Sequence, residues 1–268
     1  MNSKAVTTIR QRYGVSNVSK LEEFVNISRP DKYSPIYQEF IECICGRVGQ
    51  LAKLLSDHNI AFSSNEFIDG HLYRIYVPSR DLLFDFEYYP VVNFSYNYIR
   101  VNYNEDISQL FQKLFPETLF DTEDMMVCEI PQKDNNRFLK ENNHSPIYNK
   151  SATILAFTKD DNIYQSMVVA DGKLLANVSK LDYQVSYGTI ILLRYFKEVY
   201  NIPEISIKSD LDNSFRETSY QLMNLKLTKQ TAKKKIWWSP TGSYWHIKKE
   251  HIDEYVPFYF TEKRIWVY

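Results

Sequence analysis

The sequence predicts a mixed α/β (α+β) chain, and three observations carry that reading. A long amphipathic helix pattern stands near the N-terminus, a β-hairpin with alternating residues follows it, and an aromatic strand-like run over Val91–Tyr103 leads to a short amphipathic helix over Ile107–Phe115. With 268 residues the chain can bury a sizeable core in one large or two small domains. An aromatic content of 15% argues for ordered structure, and seven glycines with ten prolines are too few for a linker-rich chain.

The helix is predicted over Ser34–Asp57. Ser34 suits the N-cap and Pro35 the first helical position. Tyr37, Phe40, Ile41, Ile44, Val48, Leu51, Leu54 and Leu55 then recur at spacings of three and four. Gly46 and Gly49 weaken the helix interior and are expected to mark close packing against a neighbour.

The hairpin spans His71 to Pro90. Leu72, Ile75 and Val77 sit in its first strand, and Pro78, Ser79, Arg80 and Asp81 supply turn chemistry. In the second strand Leu82, Phe84 and Phe86 alternate with Leu83, Asp85 and Glu87, which puts both carboxylates on one face. Two adjacent carboxylates repel unless a cation, a proton or water intervenes. The pair reads either as a divalent-metal site or as a solvated edge face. A further strand or strand pair is expected within Val91–Tyr103, then a short helix over Ile107–Phe115 and a polar boundary over Pro116–Asp124.

Cys43, Cys45 and Cys128 form no C-x-x-C and no ligand spacing with the five histidines, so a zinc site or disulfide framework is not expected. No apolar run approaches the roughly 18 residues of a membrane span, and the N-terminus lacks the apolar core of a signal peptide. A cytoplasmic, reducing location is the expectation. The net charge of −1 conceals a division. Residues 57–124 hold twelve acids against four bases, residues 225–249 hold seven lysines and no acid, and the first 33 residues are basic. That asymmetry places an acidic partner, such as nucleic acid, at the two ends of the chain.

Leu72-Tyr73-Arg74-Ile75-Tyr76-Val77-Pro78 with Phe84-Asp85-Phe86-Glu87-Tyr88 resembles the central strand pair of phage homing endonucleases with a Vsr-like, restriction-endonuclease-like domain. The hydrophobic frame agrees. Leu72 and Arg74 stand where that family carries carboxylates, Asp85 replaces a Glu, Glu87 replaces an Asn, and the following Trp-His is absent. Tyr13-Gly14-Val15-Ser16-Asn17-Val18-Ser19 is similar to a short module that precedes such domains, which implies DNA contact through Arg10 and Arg12.

The second half resembles the acetyltransferase-like (GNAT-like) region of the same proteins. The matching runs are Val127–Ile130, Phe138–His144, Ile154–Phe157, Ile163–Val168, Tyr187–Tyr200, Ile205–Asp210 and Tyr220–Leu225. The resemblance implies an arm over 1–33, a nuclease-type domain over 34–122 and a GNAT-like domain over 123–268 with a basic, aromatic end. It also implies the cytoplasm of a phage-infected bacterium. Acetyl-CoA is not expected, because the turn Gln184–Thr189 has one glycine and bulky residues where amides would cradle pyrophosphate.

Lys229, Lys233, Lys234 and Lys235 lead into Trp237 and Trp238, and Tyr244-Trp245-His246 follow. Lysines neutralise phosphates and exposed aromatics stack on bases, so these residues are the candidate nucleic-acid contacts. Two functions compete. A binding protein with a degenerate nuclease centre, holding DNA or a protein partner, needs no cofactor. An active endonuclease would hold Mg²⁺ on Asp85 and Glu87, which would then be both catalytic and metal-ligating. An anti-defence or transcription- or replication-regulating role is a third reading that no residue selects. The leaning is to the binding protein.

Overall fold

A computed structural model of the chain describes residues 33–92, 95–202, 204–210, 225–231, 233–247, 253–261 and 263–268. Chain order runs α1 (Pro35–Asp57), β1 (Ser63–Ile68), β2 (His71–Val77), β3 (Leu82–Asp85), β4 (Asn97–Arg100), α2 (Ile107–Leu114), β5 (Thr118–Phe120) and β6 (Met126–Glu129). Then come α3 (Gln132–Glu141), β7 (Thr153–Lys159), β8 (Asn162–Ala170), β9 (Lys173–Ser179), β10 (Tyr183–Val185), α4 (Gly188–Tyr200) and β11 (Ser206–Asp210). The last strands are β12 (Lys226–Gln230), β13 (Lys235–Ser239), β14 (Gly242–Tyr244), β15 (Val256–Tyr259) and β16 (Lys263–Val267). The class is mixed α/β, as the sequence predicts. Residues 1–32 and 220–224, and with them Arg10 and Arg12, lie outside the described residues.

The chain divides into two compact units. The smaller takes the chain up to Gly46 together with Lys234–Phe260, and the larger takes Arg47–Lys233 and Thr261–Tyr268. In the smaller unit β13 is the centre of an antiparallel sheet of order β14-β13-β15. Pro257 is tolerated because β15 is an edge strand. Ile236, Trp238, Val256 and Phe258 are buried on one face, where Phe40 of α1 meets Trp238 edge-on at 5.2 Å and Phe258 at 6.2 Å. Ser34 caps α1, its Oγ accepting from the Tyr37 amide at 3.3 Å.

In the larger unit one sheet has the order β1-β2-β3-β4, with β2 and β3 antiparallel and β3 and β4 parallel. The predicted hairpin is present, its turn a short 3₁₀ segment over Pro78–Arg80 closed by Asp81 in the left-handed region (φ 50°). Two expectations fail here. All four residues of β3 are buried, because the strand is internal, so Asp85 lies on no solvated face. The strand also ends at Asp85, which leaves Glu87 in the bend beyond it and not on the same strand face. Among the described residues of 91–103 the one strand is β4.

A second sheet of the larger unit has the order β12-β16-β11-β9-β8-β7-β6. Leu155, Phe157, Met167 and Val169 of β7 and β8 pack with Leu192, Leu193 and Phe196 of α4, while Ile154 and Val168 pack with Phe138 and Leu139 of α3. Period-2 alternation thus feeds two cores, one on each face. Side chains of this type contribute about 1.5–3 kcal/mol each when fully buried. β9 and β11 run parallel and meet at Ser206 and Lys173. β5, within the segment read as leading to a boundary, pairs in parallel with β10.

The glycines of α1 do not mark close packing. A Cβ at Gly46 or Gly49 would have nothing within 4 Å, so these positions carry the entropic cost of glycine without a steric use. Gly46→Ala and Gly49→Ala are each expected to stabilise the protein by about 0.5–1 kcal/mol, measured by chemical denaturation. A loss of stability would show that the α1 backbone is approached closely at these points.

Candidate functional site

Asp85 is fully buried at the C-terminal end of β3, and its carboxylate is enclosed by donors. Its Oδ1 accepts from the Glu87 amide at 2.9 Å and from Arg100 Nη1 at 3.2 Å. Its Oδ2 accepts from the Tyr98 hydroxyl at 2.8 Å and from the Val91 amide at 3.3 Å. The parallel register of β3 and β4 places Arg100 opposite Asp85, and the Arg100 side chain is itself fully buried. His71 Nε2 stands 3.3 Å from Oδ2.

Burial alone would push the Asp85 carboxyl up. The Arg100 charge, the neighbouring His71 and the Glu87 amide outweigh burial and hold it below the usual carboxylate range. Burial and the negative charges of Asp85 and Asp69 raise the Tyr73 hydroxyl, which donates to the Val91 carbonyl at 2.9 Å. These contacts fix the chain after β3, the Asp85 carboxylate holding the bend over residues 86–91 through the Glu87 and Val91 amides.

Glu87 faces a different cation. Arg74 reaches its Oε1 through Nη2 at 2.7 Å and Nε at 2.8 Å. Arg74, which stands where the resemblance expects a carboxylate, therefore neutralises one of the two predicted metal ligands. Among the described residues no three His, Cys, Asp or Glu side chains converge as a metal site.

The predicted basic residues divide between the two units. In the larger, all five residues of β12 are exposed at the edge of the seven-stranded sheet, Lys226 and Lys229 among them. Lys233 does not share that freedom: its Nζ donates to the Pro90 carbonyl at 3.0 Å and lies 4.1 Å from the Tyr89 ring centre. In the smaller unit Lys234 is exposed, with Nζ 6.0 Å from the Trp245 ring centre. Lys235 covers Trp237 at 4.4 Å, and its partial burial lowers its pKa.

The two adjacent tryptophans have opposite fates, because successive residues of a strand face opposite ways. Trp238 is a core residue under Phe40, whereas Trp237 is half-buried on the other face. Tyr244 (43% exposed) and Trp245 (59%) present more ring to solvent than either. The paired period of β13 could have separated Trp237 from Trp238. Arg100 was harder to find, since only a parallel pairing with β3 brings it to Asp85.

No protein family and no curated protein matches the sequence. Among solved structures, an IAA acetyltransferase from Bacillus cereus ATCC 14579 is similar over 53% of this chain and 97% of its own, at 10% identity and a TM-score of 0.36. A GNAT family acetyltransferase from Elizabethkingia anophelis with acetyl-CoA bound is similar over 54% of this chain and 97% of its own, at 9% identity and a TM-score of 0.33. Likeness at this level fixes neither substrate nor cofactor. No helix among the described residues is long and apolar enough to cross a membrane.

Asp85→Asn is expected to destabilise the protein by about 3–5 kcal/mol at neutral pH, because it removes the negative charge that faces the buried Arg100. A folded pKa below the unfolded value of about 3.9 makes ionised Asp85 stabilising above that value, and the contribution is lost as pH falls through the folded pKa. Denaturation of both proteins across acid pH checks this. The gap between them should narrow as pH falls, and a gap independent of pH would contradict the ion-pair account.

Proposed function

We propose that this protein binds nucleic acid without cleaving it, on a scaffold that resembles a homing endonuclease but has ion pairs where the metal centre would be. One observation carries the reading: both candidate carboxylates are neutralised by arginines, Asp85 by Arg100 and Glu87 by Arg74, while the lysines of β12 remain exposed. Metal-assisted phosphodiester hydrolysis needs carboxylate oxygens that are open to Mg²⁺. Asp85 has both oxygens engaged by donors, and a divalent ion there would face the Arg100 charge. Lys226 and Lys229, by contrast, are free of the acidic stretch 57–124 in sequence and can approach phosphates from a sheet edge.

The turn before α4 supports a role without acyl-CoA. The Ser186 amide donates to the Phe120 carbonyl at 2.9 Å. A Cβ at Gly188 would meet Gln165 Oε1, so the Gln165 side chain occupies the approach to that glycine. Gln165 is held there by hydrogen bonds to Asn177 at 2.8 Å and Thr189 at 3.3 Å.

The test is binding of labelled DNA and RNA, each single-stranded and duplex, over a salt series, alongside incubation with Mg²⁺ or Mn²⁺. Affinity should fall log-linearly with salt, and Lys226→Gln/Lys229→Gln should lower the slope by roughly 1.4–1.8, at about 0.7–0.9 per phosphate contact. The nucleic acid should stay intact. Metal-dependent cleavage that a folded Glu87→Gln variant loses would overturn the reading, as would the absence of binding at low salt.

A further inference from the structure

The smaller unit carries a second aromatic surface, on the face of its sheet opposite the core. The register pairs Trp237 directly with Tyr244 of β14 and with Pro257 of β15, and pairs Lys235 with Tyr259. Directly paired residues project to the same side of a sheet. Ile236, Trp238, Val256 and Phe258 fill the core side, so Trp237, Tyr244, Tyr259 and Lys235 share the other. Lys235 Nζ lies 4.4 Å from the Trp237 ring centre and 5.8 Å from that of Tyr259. Tyr244 is braced edge-on by Tyr255 at 5.5 Å, which holds its exposed ring in place.

We infer that this face is a stacking platform for single-stranded nucleic acid, in which Trp237 and Tyr244 receive unpaired bases and Lys235, on the Tyr259 side of Trp237, meets an adjoining phosphate. The inference rests on the proposed function and specifies its ligand. Three features select this occupant. Residues 225–249 contain lysine and no acid, so the surrounding sequence complements a polyanion. Two large rings stand side by side on a strand pair instead of entering the core. Base stacking needs exposed π-faces, which single strands offer and duplexes conceal. Asp253 and Glu254 lie next to Tyr255, at the end of β15 away from Lys235, so the phosphates are drawn to the lysine end of the platform.

The experiment is titration of the full chain with short oligodeoxythymidine, oligouridine and a DNA duplex, read by fluorescence anisotropy and by quenching of tryptophan emission. Both single strands should bind in preference to the duplex and quench the emission. Tyr244→Ala should weaken single-strand binding about tenfold and leave duplex binding unchanged, while Tyr244→Phe, which keeps the ring, should bind as the parent does. Circular dichroism of each variant establishes that the fold is intact. Equal binding of duplex and single strand, or a folded Tyr244→Ala variant with undiminished single-strand affinity, would overturn the platform and leave the general reading standing. Quenching by polyglutamate equal to that by the oligonucleotides would also overturn it, since the face would then answer to charge alone. No binding to any of the three nucleic acids would refute both readings.

Discussion

The buried ion pair between Asp85 and Arg100 constrains the larger unit more than any other polar contact described. Neither side chain reaches solvent, and each helps to make the burial of the other tolerable. The pair lies between parallel strands, and the same carboxylate holds two backbone amides and the Tyr98 hydroxyl. One group therefore secures the end of β3, the bend beyond it and the placement of β4. A carboxylate committed in this way has become part of the architecture.

Both acids that the sequence singles out have an arginine beside them. A pair of acids two residues apart looks like a metal site when the chain is read alone. In three dimensions each acid belongs to a different arginine, and the strand ends between them. Basic character is correspondingly found elsewhere. β12 offers lysines at a sheet edge, and the smaller unit sets Lys235 among aromatic rings.

Much of the local structure was legible in the sequence because it is dictated by near neighbours. The period of α1, its Ser34 cap and the hairpin turn at Pro78–Asp81 all depend on residues within a few positions of one another. The strand and helix runs of the second half were legible through the resemblance of those segments to a GNAT-like region. The state of Asp85 was not, because its decisive partner is 15 residues away on a parallel strand. The contrast between Trp237 and Trp238 was only half visible. Alternation says that they face opposite ways, but which face is the core depends on Phe40, near the other end of the chain.

The place of Phe40 also governs when the smaller unit can form. Its core joins a helix from the early part of the chain to strands that are synthesised near the end, and such distant contacts pay a large loop-closure cost before they give anything back. During synthesis the larger unit has most of its strands available while β13 and β15 are still missing. The apolar face of α1 around Phe40 then waits uncovered on the ribosome. Assembly of the aromatic sheet is thus a late event, and an interrupted chain would expose Phe40 to chaperones and proteases.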